Sequence, residues 1–302
     1  MTPVLSWAST NPVVDIQTNR GLISVQLAAD KAPITVDNFL RYVDEGFYEN
    51  TVFHRVINDF MIQGGGYNAD LEVQEVHDPI TLETNVGLSN ARGTIAMARR
   101  AGADTASSQF FINTQDNLTL DYQNFSKPGY AVFGEVIEGM DIVDAISELK
   151  TNNVSAAVAT EGEPLVLRNV PEEPVLIEAM RLREGQLSFV DMQATYTTGD
   201  IITVSLEETM IRQKALDLWV AILMDDGRLL YVTEQGFSEI PGVFMPNVSV
   251  ADTSHPVFEL TVPQGLIGHF TLLAIFNTLG AGIEDLDHSL RSNIAAISVD
   301  LI

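Results

Sequence analysis

The residues best suited to chemistry lie in a few short blocks of the first half of the chain. Phe53-His54-Arg55-Val56-Ile57 is followed by Phe60-Met61-Ile62-Gln63-Gly64-Gly65-Gly66. Gly93-Thr94-Ile95-Ala96-Met97-Ala98 comes next, then Ser107-Ser108-Gln109-Phe110-Phe111-Ile112. Tyr130-Ala131-Val132-Phe133-Gly134 and Gly139-Met140-Asp141 complete the set. Arg55 is a permanently charged fork of hydrogen-bond donors. Taken alone it reads as a surface ion pair. Phe60, Met61, Phe111 and Leu120, each taken alone, read as ordinary core. Gln63 and Gln109 read as satisfied buried amides. With no cysteine in the chain, disulfides, thiolate catalysis and Cys-based zinc sites are excluded. The five histidines, His54, His77, His255, His269 and His288, are scattered, none in a spacing such as H-E-x-x-H, so no metal and no cofactor is assigned. Asp225, Asp226, Glu284, Asp285 and Asp287 suggest calcium, but they read more simply as turn acids of an acidic protein.

The elements that must position these blocks can be read from periodicity. Val14, Ile16 and Thr18 share one face of an alternating run. Asn19-Arg20-Gly21 turns it, and Ile23, Val25 and Leu27 resume it, which predicts a hairpin. Thr35 is the expected N-cap of a helix carrying Val36, Phe39, Leu40 and Val43, which stops near Gly46. Ile142, Val143, Ile146 and Leu149 predict a second helix. Between them the apolar runs Val52–Ile57, Thr94–Ala98, Gln109–Asn113 and Ala131–Val136 predict strands, and Pro174–Leu182 adds another. From about Glu184 the signals are nearly all strand. Ile202, Val204 and Leu206 alternate with polar residues. Leu218–Met224 and Leu229–Val232 flank the turn Asp225-Asp226-Gly227. Phe258–Val262 and Phe270–Phe276 flank a Pro-Gln-Gly turn, and Ile297, Val299 and Leu301 follow. This pattern predicts an immunoglobulin-like β-sandwich, with the boundary near Arg183–Gln186. The expected domains are 1–183 and 184–302.

The ordered blocks resemble the cyclophilins, a family of peptidyl-prolyl isomerases, over about residues 13–183. Gly64-Gly65-Gly66 and the run from Asn85 to Thr94 resemble the bacterial branch. The resemblance implies a mainly β protein: an eight-stranded closed barrel capped by two helices, followed here by the sandwich. It implies that Arg55 reaches the prolyl carbonyl and nitrogen, and that Phe60, Met61, Phe111 and Leu120 form the proline pocket. Gln63 and Gln109 would bind substrate backbone, and Ala98 and the backbone of Arg99 would pair with an extended peptide. His54 reads as structural, with a fixed hydrogen bond near the site. Thr105, Ala106 and Ser107 are expected to line an adjoining pocket that Arg99 and Arg100 partly cover. Three positions depart from the family pattern, one being Arg99, which falls where Asn is often held and whose backbone can still serve. The pocket aromatic falls on Thr119, which predicts weak binding of cyclosporin, the family's cyclic-peptide inhibitor. The pocket His falls on Tyr130.

The implied reaction is consistent with elementary chemistry. Peptide rotation faces a barrier of ~18–20 kcal/mol because it breaks amide resonance. X–Pro is the practical target, its cis form lying only ~0.5–1 kcal/mol above trans. No proton need be lost, so the task is to favour a twisted bond over a planar one.

Composition narrows the partners. The net charge is −25, spread evenly, with 25 acids and 12 bases up to Arg183 and 16 acids and 4 bases beyond it. Such a surface repels nucleic acid and anionic membrane. The 46% apolar content is enough for a substantial core. No apolar run approaches a membrane span, and Met1–Asn11 lacks the basic and apolar segments of a signal peptide. The expected partners are Pro-containing peptides and unfolded clients of a monomer that assists folding. The expected location is the periplasm or cell exterior, with the cytoplasm as alternative. A rival reading is a non-catalytic Pro-peptide-binding, chaperone or assembly module that relies on the second domain. Trp219 and Phe244 suggest a binding face there, although Trp219 reads first as core.

Overall fold

The computed structural model describes residues 11–156, 165–209 and 214–302. The stretch read for an export signal falls almost wholly outside them. The chain divides into two compact units, Met1–Leu182 and Arg183–Ile302.

The first unit opens with β1 (Val13–Thr18) and β2 (Gly21–Leu27), paired antiparallel with Thr18 opposite Gly21. Gly21 sits at φ +134°, a conformation side chains disfavour. Helix α1 (Pro33–Asp44) follows. The expected cap is corrected here. Ala32 is the N-cap and Pro33 starts the helix, where its missing N–H costs nothing. Thr35 lies inside the first turn, and its N–H and hydroxyl both donate to Glu83, each at 2.7 Å. A carboxylate from a distant loop thus takes over the role of a local cap.

Next come β3 (Thr51–Val52), β4 (Arg55–Ile57), β5 (Met61–Gly64), β6 (Thr94–Met97), β7 (Phe110–Asn113) and β8 (Val132–Glu138). They are followed by α2 (Met140–Ser147), the β9 (Thr151–Ala156) and β10 (Leu165–Pro171) ribbon, and β11 (Leu176–Arg183). The large sheet runs β3-β11-β1-β2-β8-β6-β7-β5-β4. Its two terminal segments, β3 and β4, are halves of one run broken at Phe53-His54. Counted as one strand they make eight, and the sheet closes on itself as expected. Inside lie Ile16, Ile23, Val25, Val56, Ile62, Ile95, Phe110, Ile112 and Phe133, all buried. Both helices bury apolar faces in this core. Phe39 of α1 meets Phe110 edge-on at 5.6 Å and Phe133 at 5.1 Å.

The second unit is a sandwich of two sheets. One joins β12 (Leu187–Val190), β14 (Ile201–Glu208) and β19 (Ser254–Thr261). The other has seven strands: β13 (Thr195–Tyr196), β15 (Leu216–Met224), β16 (Leu229–Thr233), β17 (Gly236–Ser238), β18 (Met245–Val248), β20 (Gly268–Asn277) and β21 (Ala295–Leu301). Leu206 on the smaller sheet packs with Leu218, Val220 and Phe276 on the larger, and Phe244 is buried among them rather than on a face. Trp219 points the other way. It is core, but in a separate cluster with Tyr231, Ile275, Ile283 and Leu286. Among the described residues, no group of acids and histidines is arranged to hold a metal ion, and no helix is long and apolar enough to cross a membrane.

Candidate active site

Strand parity builds the site. Successive strand residues point to opposite faces, so each residue buried in the barrel has a neighbour facing out. Ile62, Ile95, Phe110, Ile112 and Phe133 go in. Met61, Gln63, Ala96, Phe111 and Val132 therefore face out. Register aligns them: Arg55 lies opposite Gln63, Gln63 opposite Phe111, Phe111 opposite Ala96, and Ala96 opposite Val132. One row across five strands thus carries a cation, an amide and an apolar floor.

Met61, Ala96, Phe111 and Val132 form a second buried apolar cluster outside the barrel, walled by Phe60, Leu88, Ala98, Leu120 and Tyr130. Phe111 and Tyr130 meet edge-on at 5.7 Å. Arg55 stands at the border, half-buried, with its guanidinium carbon 6.0 Å from the Phe60 ring centre. Its Nη1 donates to Gln63 Oε1 at 3.2 Å, and Gln63 Nε2 donates to Gln109 Oε1 at 2.9 Å. This relay fixes Gln63 in one orientation and leaves the Gln109 amide N–H groups directed onward. Burial pulls the Arg55 guanidinium below the usual arginine value, with Tyr130 acting the other way. Arginine starts so high that the group remains a cation at neutral pH.

The triple glycine has a geometric cause. A Cβ on Gly66 would lie 2.3 Å from Gln109 Nε2, and one on Gly65, at φ +78°, would lie 2.9 Å from the Ser108 carbonyl. Gly66 therefore clears the volume that the Gln109 side chain occupies. Gly66→Ala is expected to displace Gln109 and lower kcat/KM for a proline peptide by about fivefold, near 1 kcal/mol, with folding preserved. Peptide isomerisation kinetics and circular dichroism check both parts.

Several expectations change. Ala98 borders the pocket, but its N–H is taken by the Gln109 carbonyl at 2.9 Å. The backbone of Arg99 remains for an extended peptide. The Arg99 side chain turns away, donating to the carbonyls of Gly129 (2.7 Å) and Arg100 (2.9 Å) and lying 4.9 Å over the Tyr130 ring. Ala106 does not line an adjoining pocket: it forms an isolated bridge with Ile80 and is buried in the barrel core. Thr105 spends its hydroxyl on Gly102 and Arg100. Ser107 is half-buried, and its carbonyl accepts from Asn38. Thr119 is exposed on a 3-10 turn and stands outside the apolar cluster. His54 is buried against Tyr67, with ring centres 4.6 Å apart; its ring interacts with the Val52 backbone, while its Nδ1 has no hydrogen-bond partner. Burial, offset by the Val52 carbonyl and reinforced by Arg55, lowers its pKa to about 4.

One group escaped the sequence reading. Asn90 and Asn113 are fully buried, and Asn117 nearly so. Asn117 Nδ2 donates to the Phe60 carbonyl at 2.7 Å and to Asn113 Oδ1 at 2.8 Å. Asn113 donates to Thr94 Oγ1 at 2.9 Å and Asn90 Oδ1 at 3.3 Å. Asn90 in turn donates to Asp121 through its backbone (2.7 Å) and side chain (2.9 Å). The Leu120 N–H donates to the Asn117 carbonyl at 2.8 Å, and the Tyr130 N–H to the Leu120 carbonyl at 2.9 Å. Three walls of the pocket, Phe60, Leu120 and Tyr130, thus hang on one polar network.

The site is thus an apolar pocket on the outer face of a closed barrel, beside a cationic donor held by Gln63 and Phe60. Comparison with known proteins gives the family. Residues 13–181 match the cyclophilin type peptidyl-prolyl cis-trans isomerases/CLD. Peptidyl-prolyl cis-trans isomerase A of Dickeya dadantii is 43% identical over 177 residues, covering 58% of this chain and 86% of that protein. Isomerase B of Escherichia coli is 46% identical over 177 residues, covering 57% of this chain and 100% of that protein. Among solved structures, a Cryptosporidium parvum cyclophilin type isomerase superposes with a TM-score of 0.46 at 23% identity, covering 57% of this chain and 97% of that one. The chain belongs to the cyclophilin-type peptidyl-prolyl cis-trans isomerases, and it is an isomerase of that class.

Proposed function

We propose that the chain isomerises X–Pro bonds in folding polypeptides, with Arg55 stabilising the twisted bond over the pocket of Phe60, Met61, Phe111 and Leu120. The planar amide nitrogen has its lone pair in resonance and accepts hydrogen bonds poorly. Twisting returns the lone pair, so a donor aimed at that nitrogen binds the transition state better than either ground state. The observation that carries this reading is the placement of Arg55. Its guanidinium is fixed by Gln63 and Phe60 at the edge of the apolar cluster of Met61, Ala96, Phe111 and Val132. Gln109 and the Arg99 backbone hold the flanking chain, so that binding there keeps the prolyl ring in place while the bond turns. Nothing in this scheme requires a base or a nucleophile. Proline-containing tetrapeptides and unfolded proteins are the expected substrates. The test is a cis/trans isomerisation assay of the full chain on a proline tetrapeptide, and a rate equal to the uncatalysed one sinks the reading.

The rim bears on inhibition. Thr119 is exposed and offers neither a ring nor an indole N–H. Cyclosporin is expected to inhibit only weakly, and submicromolar inhibition in the same assay contradicts this account of the rim.

A further inference from the structure

We propose that the loop between Leu120 and Tyr130 carries an outer apolar contact for client chains. Phe125 and Tyr122 form it, with Leu118 beside them, and it takes an apolar side chain of an unfolded polypeptide whose proline lies in the pocket. The proposal rests on the isomerase reading above and extends it from the proline to the chain around it.

Phe125 is 96% exposed, Leu118 57% and Tyr122 41%. Single exposed apolar residues are ordinary. These three share one short segment, and among the described residues of this unit the other large rings are half-buried or buried, Phe39, Phe53, Phe110 and Phe133 almost fully. The segment is also held in shape. Asn124 Oδ1 accepts from the Ser126 N–H (3.0 Å), the Ser126 hydroxyl (2.6 Å) and the Lys127 N–H (3.1 Å). The Lys127 N–H also donates to the Asn124 carbonyl at 2.9 Å, and the Gln123 N–H to the Lys127 carbonyl at 3.1 Å. Gly129, at φ +74°, lets the two stems cross, since a Cβ there would lie 2.6 Å from the Tyr122 nitrogen. Such a closed loop holds Phe125 out in water without gaining stability from its ring.

Its position gives the ring a use. The loop's roots, Leu120 and Tyr130, are walls of the proline pocket, joined at 2.9 Å and clamped through Gly129 by Arg99. The outer residues therefore sit on the loop that links two walls of the substrate site, which places that loop beside a chain held in the pocket. A chain in the unfolded state exposes apolar side chains that a native surface hides, so the patch favours unfolded clients over short peptides. A membrane surface is disfavoured as its occupant by the −25 net charge.

The test compares two substrates on the full chain: a proline tetrapeptide without large apolar residues beside its proline, and an unfolded protein whose refolding is limited by proline isomerisation. In the double variant Phe125→Ser, Tyr122→Ser, kcat/KM on the tetrapeptide is expected to stay within about twofold of wild type, while acceleration of refolding falls roughly three- to tenfold. Ile240→Ser, 76% exposed in the second unit, is expected to change neither. Equal retention of both activities in the double variant overturns the patch and leaves the isomerase reading standing, as does an equal loss from Ile240→Ser. A wild type inert on the tetrapeptide overturns the isomerase reading itself.

Discussion

Arg55→Ala is expected to lower kcat/KM on a proline tetrapeptide by about 100- to 1,000-fold, or ~3–4 kcal/mol, comparable to removing a preorganised donor from an oxyanion hole. The loss should fall mainly on kcat, because the pocket floor of Met61, Ala96 and Phe111 is untouched and still seats the ring. The variant also releases Gln63, whose Oε1 accepts from Arg55 at 3.2 Å, so part of the loss reflects a freed amide. Arg55→Lys separates charge from shape. An ammonium keeps the charge but cannot donate to Gln63 and to substrate from one rigid fork, so it should recover only about a tenth of the lost activity. Since an arginine does not titrate near neutrality, the wild-type rate should be flat from about pH 6.5 to 9. A bell-shaped profile across that range, or an Arg55→Ala enzyme at full speed, would refute the assignment.

How much of this was readable beforehand depends on how local the cause is. The β1–β2 hairpin was legible because alternation and the Gly21 turn are adjacent in sequence. The identity of the site residues came from their ordered blocks, and strand parity explains why those blocks alternate as they do: Phe110 serves the barrel and Phe111 the pocket. Ala106 lies between strands, where no alternation marks a side, and its burial comes from a bridge to Ile80, which is distant in sequence. The start of α1 was misread because the group that satisfies Thr35 is Glu83, far along the chain. The Asn90–Asn113–Asn117 network was invisible for a related reason. Asn and Asp near Gly usually mark turns, and nothing local distinguishes a turn asparagine from one buried under a pocket. Gly66 shows the limit from the other side. The glycine is plain in the sequence, but its cause is the Gln109 side chain, which only folding brings within reach.

His54 governs the second large effect, on stability rather than rate. Its pKa is about 4 in the folded chain and 6.5 as the reference value. Above pH 6.5 both folded and unfolded states are neutral at this position, and the stability is fully present. Between 6.5 and about 4 the unfolded chain binds a proton that the folded one refuses, so stability falls as the pH drops through this window. The gap of about 2.5, at ~1.36 kcal/mol for each pKa step, gives a loss of about 3 kcal/mol by pH 4. The cause is burial beneath Tyr67, reinforced by the permanent cation of Arg55 and only partly offset by the Val52 backbone. Asp144 and Asp121 have carboxyls held below their usual value by Arg92 and by Ser89 with Asn90, respectively, so their contributions are lost at lower pH still. His54→Gln removes the titrating group and should flatten the curve between pH 6.5 and 4, even if it lowers the plateau. The urea midpoint of isomerase activity, followed across this window, reports on the barrel alone. Equal slopes for wild type and His54→Gln would show that the acid sensitivity comes from elsewhere.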